Sequence, residues 1–508
     1  MAGIMASNFS EILSERAISY PNKTFCQKIN GRSVNFLDLE KYVNKCCNYF
    51  KELGIYQGEI ITIAIPNSIS SIILYFAGLR SGVVINPCPS SLSVNELIKN
   101  IKFIQSNLLI TNKVLSQDNI SINCAHVIFD DDEELLSHLE SYDDKKFIRK
   151  IPENDAACIY YSSGTTGNSK CVMYSHKNMV ALIKSIVIDF DFSEKTVHLG
   201  VLPLGHTAII NYQFLPAMFA GSTMYLAENF NSIRQNLWKL ISELQISYFQ
   251  VVPTILFSII ATPYDTKDIE SNNSLEFIGC GSAPLSKESQ INFYEKFNVR
   301  VANLYGLSET GPSHFDNPSS SSWQPGSIGY PLGVNDCKII DKDFNDAGIG
   351  ESGQIVLKGE NIFIGYYKNE KAYNNAFFGE YFLTGDFGYK DNDGRYYFAD
   401  REKDLIIKGG VNIVPGEIEE VIFKLKNVKS VAVIGIPHKL FGEEIIAFVE
   451  KNDASLEKED IINVSAENLQ TLKRPNKIIF IDSMPIGPSG KILKRKLREQ
   501  FNEMLNIK

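Results

Sequence analysis

The clearest pattern along the chain is a helical face in the segment LEKYVNKCCNYFKELG, residues 39–54. Its apolar positions recur every three or four residues, which is the spacing of one side of an α-helix. These positions are Leu39, Tyr42, Val43, Cys46, Phe50 and Leu53. The helix is predicted to end at Gly54, because glycine readily adopts the left-handed conformation that closes helices. The strand-like run EIITIAIP follows it.

Short apolar runs alternate with helical segments over the next two hundred or so residues. Strands are predicted from GVVINP, NLLITN and AHVIFDD, and further along from TMYLA and ISYFQVVP. Helices are predicted between them, over 70–80 and 94–104. This alternation is typical of a parallel sheet that helices cover on both faces.

The pattern changes twice in the second half of the chain. From about Ser327, glycines punctuate the strand-like segments GQIVLKGENIFIGYY and GEYFLTGDFGYKDNDGRYYFADR, which predicts a smaller antiparallel or barrel-like part. After Arg401, the helix-like PGEIEEVIFKLKN precedes the strand-like runs SVAVIGIP and EEIIAFVEK. We therefore predict an α/β fold with a large N-terminal domain, residues 1–400, of α/β subdomains plus a β-rich subdomain, and a small C-terminal α+β domain, residues 401–508.

Composition excludes several classes of protein. A chain of 508 residues, 44% of them hydrophobic, is too long to fold around a single hydrophobic core, so two or more domains are predicted. The net charge of −9 gives no electrostatic reason to expect nucleic acid or an anionic membrane as a partner. The nine cysteines show neither metal-ligand spacing nor a disulfide framework, which indicates reduced thiols in the cytoplasm. Apolar runs such as IILYFAGL are too short for a membrane span, and the N-terminus lacks the pattern of a signal peptide.

The segment SSGTTGNSK, residues 162–170, is the strongest candidate for chemistry. Glycines let backbone N–H groups turn toward a ligand, hydroxyls add donors and a lysine adds positive charge, a combination that suits a polyphosphate. A Walker-type P-loop does not fit, because Ser169 and Cys171 stand where that motif needs glycine and a hydroxyl. A flexible turn between two strands is the alternative, and other segments decide between them.

Seven segments stand in order along the chain as YYSSGTTGNSK, LPLGHTA, GCGSAPL, YGLSET, YFLTGD, DREKDLIIKGGVNIVPGEIEE and GPSGKILKRKLR. In this order they resemble the signatures of the adenylate-forming superfamily, which includes acyl-CoA synthetases, adenylation domains of nonribosomal peptide synthetases and firefly luciferase. The resemblance covers most of the chain and is closest to acyl- or aryl-CoA ligases. It implies a reaction in two steps, in which a carboxylate and ATP form an acyl-adenylate and pyrophosphate, and a thiol then takes the acyl group.

The resemblance also implies roles for individual residues in the nucleotide site. The loop around the β- and γ-phosphates would contain Ser162, Thr165, Thr166 and Lys170. In YGLSET, Tyr305 would lie near adenine together with Gly306, Thr310 would contact phosphate, and Glu309 would hold Mg²⁺. Asp386 would accept hydrogen bonds from the ribose hydroxyls, with Arg401 as a second ribose contact.

Four residues near and beyond the domain boundary are assigned on the same basis. Lys491 matches the lysine that reaches the substrate carboxylate and the α-phosphate, where a cation stabilises developing charge. The other cations of its run, such as Lys494 and Arg498, are expected to face solvent. Lys403 matches the hinge about which a mobile C-terminal domain rotates between two poses. Gly409 and Gly410 would line the tunnel that admits the thiol.

The sequence narrows the choice of the acid substrate and of the thiol acceptor but determines neither. His206 would stand at the mouth of the acyl pocket, and Gly279, Gly281, Ser282 and Ala283 would form one wall of it beside the nucleotide. The segment LPLGHTAIINYQF contains no acidic residue to pair with an α-ammonium, which favours a fatty or aryl acid. CoA is the predicted acceptor. A stand-alone ligase that loads the phosphopantetheine arm of a carrier protein and a non-catalytic binding protein are the two alternatives.

Overall fold

The parallel sheets predicted from the alternating pattern are present, and there are two of them. The computed structural model describes residues 6–112, 124–161, 170–283, 285–401, 404–408, 411–438, 442–487 and 492–506. In these ranges the strands form four sheets, two in the large α/β part, one in the β-rich part and one in the C-terminal part. The predicted fold class is therefore confirmed.

The first α/β sheet has seven strands in the order β18-β8-β7-β4-β3-β5-β6. Its strands are β3 (Ile60–Ala64), β4 (Val84–Pro87), β5 (Leu108–Thr111), β6 (Ala125–Ile128), β7 (Ala156–Tyr161), β8 (Cys171–Ser175) and β18 (Gly365–Tyr366). The strands from β7 to β6 pair in parallel, whereas β8 runs antiparallel to both β7 and β18. This antiparallel edge carries the candidate phosphate loop, between β7 and β8.

The second α/β sheet has nine strands in the order β15-β14-β13-β12-β11-β9-β10-β1-β2. Its strands are β1 (Thr24–Lys28), β2 (Ser33–Asn35), β9 (Val197–Gly200), β10 (Thr223–Leu226), β11 (Tyr248–Val251), β12 (Phe277–Gly281), β13 (Val301–Leu307), β14 (Gly311–Phe315) and β15 (Tyr330–Pro331). The six central strands are parallel, and the edge strands are antiparallel.

Helices cover both sheets, as the pattern predicts. They are α1 (Phe9–Ser19), α2 (Phe36–Glu52), α3 (Ile69–Ser81), α4 (Val94–Ile104), α5 (Asp132–Leu139), α6 (His176–Asp189), α7 (Thr207–Ile209), α8 (Leu215–Ala220), α9 (Phe230–Ile233), α10 (Leu237–Glu243), α11 (Pro253–Ala261), α12 (Thr266–Glu270), α13 (Lys287–Phe297) and α14 (Glu370–Asn374). A π-helical turn, residues 210–214, joins α7 to α8. Every residue of α3 is buried, because this helix packs against strands of both sheets. Gly54, just after α2, has a φ of +73°, the left-handed conformation predicted for it.

The β-rich part is an antiparallel sheet of five strands, as predicted. They are β16 (Asn335–Ile340), β17 (Gly353–Gly359), β19 (Phe377–Phe378), β20 (Tyr381–Lys390) and β21 (Tyr396–Arg401). The segment GYY differs from the prediction, because its strand β18 leaves this part and pairs with β8 of the seven-stranded sheet. The β-rich part is thereby tied to the loop that carries the candidate phosphate site.

The C-terminal part is a five-stranded sheet between helices. Its elements are β22 (Ile406–Lys408), β23 (Val411–Ile413), α15 (Pro415–Phe423), β24 (Val428–His438), β25 (Gly442–Lys451), α16 (Lys458–Asn468), β26 (Lys477–Ile481) and α17 (Lys494–Asn506). Two separate apolar clusters form, one around α15 and α16 and one around α17. Phe423 of α15 meets Phe257 of α11, with ring centres 6.3 Å apart. No helix in the described part of the chain is long and apolar enough to cross a membrane.

Candidate active site

The loop SSGTTGNSK joins the antiparallel strands β7 and β8. Ser162, Thr165 and Thr166 lie outside the described residues, so their predicted phosphate contacts stay predictions. Lys170 is described; it is exposed and directly precedes β8. Its Nζ lies 4.4 Å from the centre of the Tyr366 ring. This cation–π contact holds the ammonium group at the end of the loop.

Tyr366 also contacts Glu309, the residue predicted to hold Mg²⁺. Its hydroxyl donates a hydrogen bond of 2.9 Å to Oε1 of Glu309. The pairing of β18 with β8 positions the ring, because Tyr366 is the register partner of Val172, two residues after Lys170. Burial and the charge of Glu309 raise the pKa of Tyr366, so the phenol stays protonated and can donate. The lysine and the carboxylate of two separate motifs thus meet at one tyrosine.

The backbone around Glu309 is held from two sides. The Glu309 carbonyl accepts a hydrogen bond of 3.0 Å from the Phe363 amide. The hydroxyl of Tyr174, on β8, donates to the Ser308 carbonyl at 2.8 Å. Tyr174 lies on β8, the strand that follows Lys170, and Phe363 lies in the segment just before β18, the strand of Tyr366. The backbone that carries the carboxylate is therefore held against β8, the strand that Lys170 precedes, and against the segment before β18.

Thr310 and Gly306 shape the turn between β13 and β14. The Thr310 hydroxyl is fully buried, accepts from the Leu307 amide at 3.1 Å and donates to the Gly311 carbonyl at 2.7 Å. A Cβ atom on Gly306 would lie 2.2 Å from that same carbonyl oxygen, so only glycine fits there. Both residues hold the turn together in this structure, and their contacts with nucleotide remain predictions.

Tyr305 and Asp386, predicted near adenine and ribose, are hydrogen bonded to each other. The Tyr305 hydroxyl donates to Oδ2 of Asp386 at 2.8 Å, and both side chains are buried. Burial and the Asp386 charge raise the pKa of Tyr305 well above its ordinary value. Arg401, the second predicted ribose contact, is the register partner of Asp386 across β20 and β21. The structure thus brings these three nucleotide-site candidates together.

His206 caps the short helix α7, where the acyl pocket is predicted to open. Its Nδ1 accepts a hydrogen bond of 3.2 Å from the Ala208 amide, which places the proton of a neutral ring on Nε2. The preceding Gly205 is pressed against another segment, because a Cβ there would lie 2.1 Å from the Cys88 carbonyl carbon. The histidine is therefore held in place by its neighbours, with its predicted role at the pocket mouth untested.

The predicted pocket wall lies at the end of β12. A Cβ on Gly281 would lie 2.8 Å from the carbonyl oxygen of Leu304 on β13, so close strand packing by itself requires glycine there. Ser282 has a φ of +68°, which is uncommon outside glycine and frequent at functional sites. Ala283 follows it. A larger residue at position 281 would push on β13. Its effect on the pocket could therefore not be separated from its effect on strand packing.

Lys403, Gly409, Gly410 and Lys491 lie outside the described residues, and their assignments stay predictions. The expectation that their neighbouring cations face solvent is wrong for two residues. The Lys494 ammonium lies 2.9 Å from a carboxylate oxygen of Glu419, and the Arg498 guanidinium lies 3.4 Å from Asp404. Glu419 belongs to α15 and Asp404 follows the hinge position, so α17 is tied to both segments.

All nine cysteines are free thiols, in agreement with the prediction of no disulfides. Two of them lie in the candidate site, where Cys171 follows Lys170 and Cys280 stands between Gly279 and Gly281. Burial raises the pKa of Cys171 to about 12 and also raises the pKa of Cys280. Both side chains are therefore neutral thiols at physiological pH.

Comparison with known proteins decides the family. The model of the AMP-binding enzyme family matches residues 13–367, and that of the AMP-binding enzyme C-terminal domain matches residues 417–491. The chain belongs to the AMP-binding enzyme family. This confirms the resemblance to the adenylate-forming superfamily and makes the protein an AMP-forming acid–thiol ligase, which activates an acid as its acyl-adenylate.

Similar AMP-binding enzymes include two curated ligases and one solved structure. The sulfoacetate–CoA ligase of Cupriavidus necator is 28% identical over 501 residues, which is 96% of each chain. The long-chain-fatty-acid–CoA ligase of Bacillus subtilis is 28% identical over 546 residues, covering 98% of this chain and 95% of the ligase. ATP-bound MatB from Rhodopseudomonas palustris superposes with a TM-score of 0.91 at 25% identity, covering 98% of this chain and all of MatB.

Three contacts in this AMP-binding enzyme escape sequence reasoning. They are the bonds from Tyr366 to Glu309, from Tyr174 to Ser308 and from Asn361 to the Thr310 carbonyl, the last at 2.8 Å. The three donors lie between 51 and 134 residues from their acceptors along the chain. The only available signal for Tyr366 is its place after glycine in IGYYK, which by itself indicates a turn.

Proposed function

We propose that this enzyme uses ATP and Mg²⁺ to convert a fatty or aryl acid without an α-amine into an acyl-adenylate and pyrophosphate, and then transfers the acyl group to CoA. The observation that carries the proposal is the meeting of Lys170 and Glu309 at Tyr366. A magnesium–triphosphate needs a cation for its phosphates and a carboxylate for its metal ion. Lys170 and Glu309 supply these two groups at one place.

The Glu309 carboxylate fits the metal by its chemistry. Mg²⁺ prefers hard oxygen ligands, and the side chain of Glu309 is only partly buried. One hydrogen bond from Tyr366 leaves most of the carboxylate's lone pairs available. The ion, when bound, would neutralise phosphate charge. Tyr366 orients the carboxylate through its hydroxyl, and Lys170 adds a second positive group over the face of the same ring.

Tyr305 and Asp386 would hold the nucleoside in the same site. Their mutual hydrogen bond fixes the ring of Tyr305 and one oxygen of Asp386, which orients both groups before a ligand arrives. Lys491 would bring its ammonium to the carboxylate and α-phosphate, where it would stabilise the charge that accumulates as the bond to phosphorus forms. Lys403 would act as the hinge that carries it there and away.

CoA is proposed as the acceptor because the relatives named above are CoA ligases. Their names range from sulfoacetate to long-chain fatty acids at the same identity, so they do not select the acid. A carrier-protein phosphopantetheine is the alternative acceptor, since it presents the same thiol. The fixed geometry of Glu309 and Asp386 counts against a non-catalytic binding protein.

Acid-dependent exchange of labelled pyrophosphate into ATP tests the proposal. We expect exchange with Mg²⁺ and a suitable acid, and AMP and pyrophosphate as the products. Glu309→Gln, which keeps the shape but removes the charge, should reduce exchange by about 10²-fold, the usual cost of one charge-stabilising group. ADP as the main product, or no exchange with any acid, would overturn the proposal. Free CoA and a purified carrier protein, assayed side by side, would then decide the acceptor.

A further inference from the structure

Tyr248 and Gln250 project from the same face of the nine-stranded sheet, beside the predicted wall of the acyl pocket. Successive side chains of a strand alternate between faces, so residues 248 and 250 of β11 share one face. The register pairs Gln250 with Gly279 and Tyr248 with Phe277 on β12. A Cβ on Gly279 would lie 2.7 Å from the Tyr248 hydroxyl. The space that this glycine leaves is therefore shared by the phenol and the side chain of Leu304, whose Cδ1 would lie 2.6 Å from that Cβ.

Both side chains carry buried polar atoms without a partner. Tyr248 is 1% exposed and Gln250 is fully buried. Among the described residues, neither the Tyr248 hydroxyl nor either terminal atom of the Gln250 amide has a hydrogen-bond partner. Buried polar groups in native proteins are nearly always paired, so three such atoms on one strand face indicate a ligand that satisfies them.

Aromatic rings pack against Tyr248. Its ring centre lies 4.9 Å from that of Phe192 and 5.0 Å from that of Phe277. Phe190 lies 6.3 Å from Tyr248 and stacks on Phe315 with ring centres 3.8 Å apart. Rings packed this closely oppose the passage of a long alkyl chain beyond Tyr248.

We propose that Tyr248 forms the closed end of the acyl site, and that the acid is short and carries a hydrogen-bonding group at the end remote from its carboxylate. Tyr248 would donate to this group and the Gln250 amide would complete its hydrogen bonds. The inference rests on the proposed function and on Gly279 as part of the pocket wall. Within the fatty or aryl acids predicted from sequence, it selects short acids with a polar end.

The test is pyrophosphate exchange with two series of acids. One series is straight-chain acids from acetate to dodecanoate. The other consists of pairs of similar size that differ in the polarity of the end remote from the carboxylate, such as butyrate with 3-hydroxypropanoate and valerate with succinamate. We expect the polar-ended member of each pair to be preferred by about 10-fold or more, which is the selectivity of a site with a positioned hydrogen-bonding group. Beyond the preferred length, each further methylene of a straight-chain acid should lower activity by about 10-fold or more.

Two substitutions separate the hydroxyl from the ring. Tyr248→Phe should abolish the preference for polar-ended acids and keep the length limit. Tyr248→Ala should admit longer straight-chain acids, while the KM for ATP stays the same in both variants. Tyr264→Phe is the matched control, because it also removes a tyrosine hydroxyl that is shielded from solvent, at a different place beside Trp238. It should leave acid preference unchanged.

The outcomes distinguish this inference from the proposed function. Exchange that is strongest with long-chain acids, or that shows the same acid preference in wild type and Tyr248→Phe, would overturn the inference and leave the ligase activity established. Absence of exchange with every acid would overturn both. Thermal unfolding of each variant checks its fold, and if Tyr248→Ala does not fold, the Tyr248→Phe comparison decides.

Discussion

Tyr366 joins Lys170, the last residue of the phosphate loop, to the predicted metal ligand. Tyr366→Phe keeps the ring beside Lys170 and removes the hydrogen bond to Glu309. A hydrogen bond to a charged group contributes about 1.5–3 kcal/mol. We therefore expect kcat/KM for adenylate formation to fall by roughly 10- to 100-fold, with a higher Mg²⁺ concentration for half-maximal rate. Pyrophosphate exchange over a Mg²⁺ titration measures both.

Tyr367→Phe is the control for this prediction. Its hydroxyl donates at 2.8 Å to the carbonyl of Ile104, a neutral group away from Glu309. Its removal should leave the Mg²⁺ dependence unchanged. If the two variants shifted the Mg²⁺ titration equally, Tyr366 would be a packing residue and its contact with Glu309 would have no part in the reaction.

Single residues of the site are predictable from sequence only where a motif identifies them. Lys170, Glu309 and Asp386 stand in short signatures, and their roles are predicted from the family resemblance that the ordered set of signatures carries. Tyr366 has no such signature, because its role depends on a two-residue strand that meets β8 almost two hundred residues away. At Gly281 a motif is present but the structure offers another reason for the residue. The motif assigns this glycine to a pocket wall, whereas its close contact with the next strand already requires glycine.

At the scale of elements, α1, α2 and α3 are joined through the buried guanidinium of Arg80. This side chain is 1% exposed and lies 2.6 Å from the Glu40 carboxylate. It also donates to Asn44 at 2.7 Å and to Ser14 at 3.1 Å. Arg80→Met leaves the Glu40 charge without its partner, so we expect the free energy of unfolding to fall by about 3–5 kcal/mol. Urea denaturation followed by tryptophan fluorescence measures this free energy. Both tryptophans, Trp238 and Trp323, lie before residue 400, so their signal follows the N-terminal part of the chain, which contains Arg80.

An exposed ion pair provides the comparison for Arg80. The Arg32 guanidinium lies 2.7 Å from Glu133, but the two side chains are 40% and 71% exposed. Arg32→Met should change the free energy of unfolding by less than about 1 kcal/mol, because solvent screens such pairs. Equal losses in the two variants would show that burial does not strengthen the Arg80 network.

Elements that alternate regularly along the chain are the ones that sequence predicts well. The helical segments predicted over 70–80 and 94–104 agree with α3 and α4 to within a residue at each end, and apolar runs place the central strands. Strand β18 could not be placed, because two residues carry no period and its pairing depends on tertiary contact. Such short pairings join parts of the chain that the pattern assigns to different sheets.

For the whole molecule, the two-domain arrangement predicts that the half-reactions can be separated. If Lys491 acts only in one pose, Lys491→Ala should slow adenylate formation by about 10²–10³-fold and still form thioester from synthetic acyl-adenylate. Gly410→Leu should show the opposite, because a side chain in the tunnel obstructs the thiol. Exchange and thioester assays measure the two steps. Equal loss of both steps in both variants would contradict a rotating domain.

The buried histidines predict how stability depends on pH. Burial lowers the pKa of His198 and His314 to about 3 and that of His176 to about 4. In the unfolded chain these rings titrate near pH 6.5. Between pH 6.5 and about 4 the unfolded chain therefore binds more protons, so the free energy of unfolding falls as the pH falls.

His198→Gln tests this linkage at one site. From pH 7 to pH 5 a single such histidine accounts for about 2 kcal/mol of lost stability. The variant should lose about that much less than the wild type over the same interval, whatever its stability at pH 7. Urea denaturation at the two pH values measures the difference. Identical losses in the two proteins would show that His198 already binds a proton in the folded state.

The protonation state of the thiols in the site affects whether the reaction intermediate can inactivate the enzyme. An acyl-adenylate is a mixed anhydride, and a thiolate next to it would capture the acyl group and inactivate the protein. Cys171 and Cys280 are kept as neutral thiols by burial, and the neutral form is a poor nucleophile. A reactive intermediate in this site would therefore meet no thiolate at either position, which would disfavour self-acylation of these two cysteines.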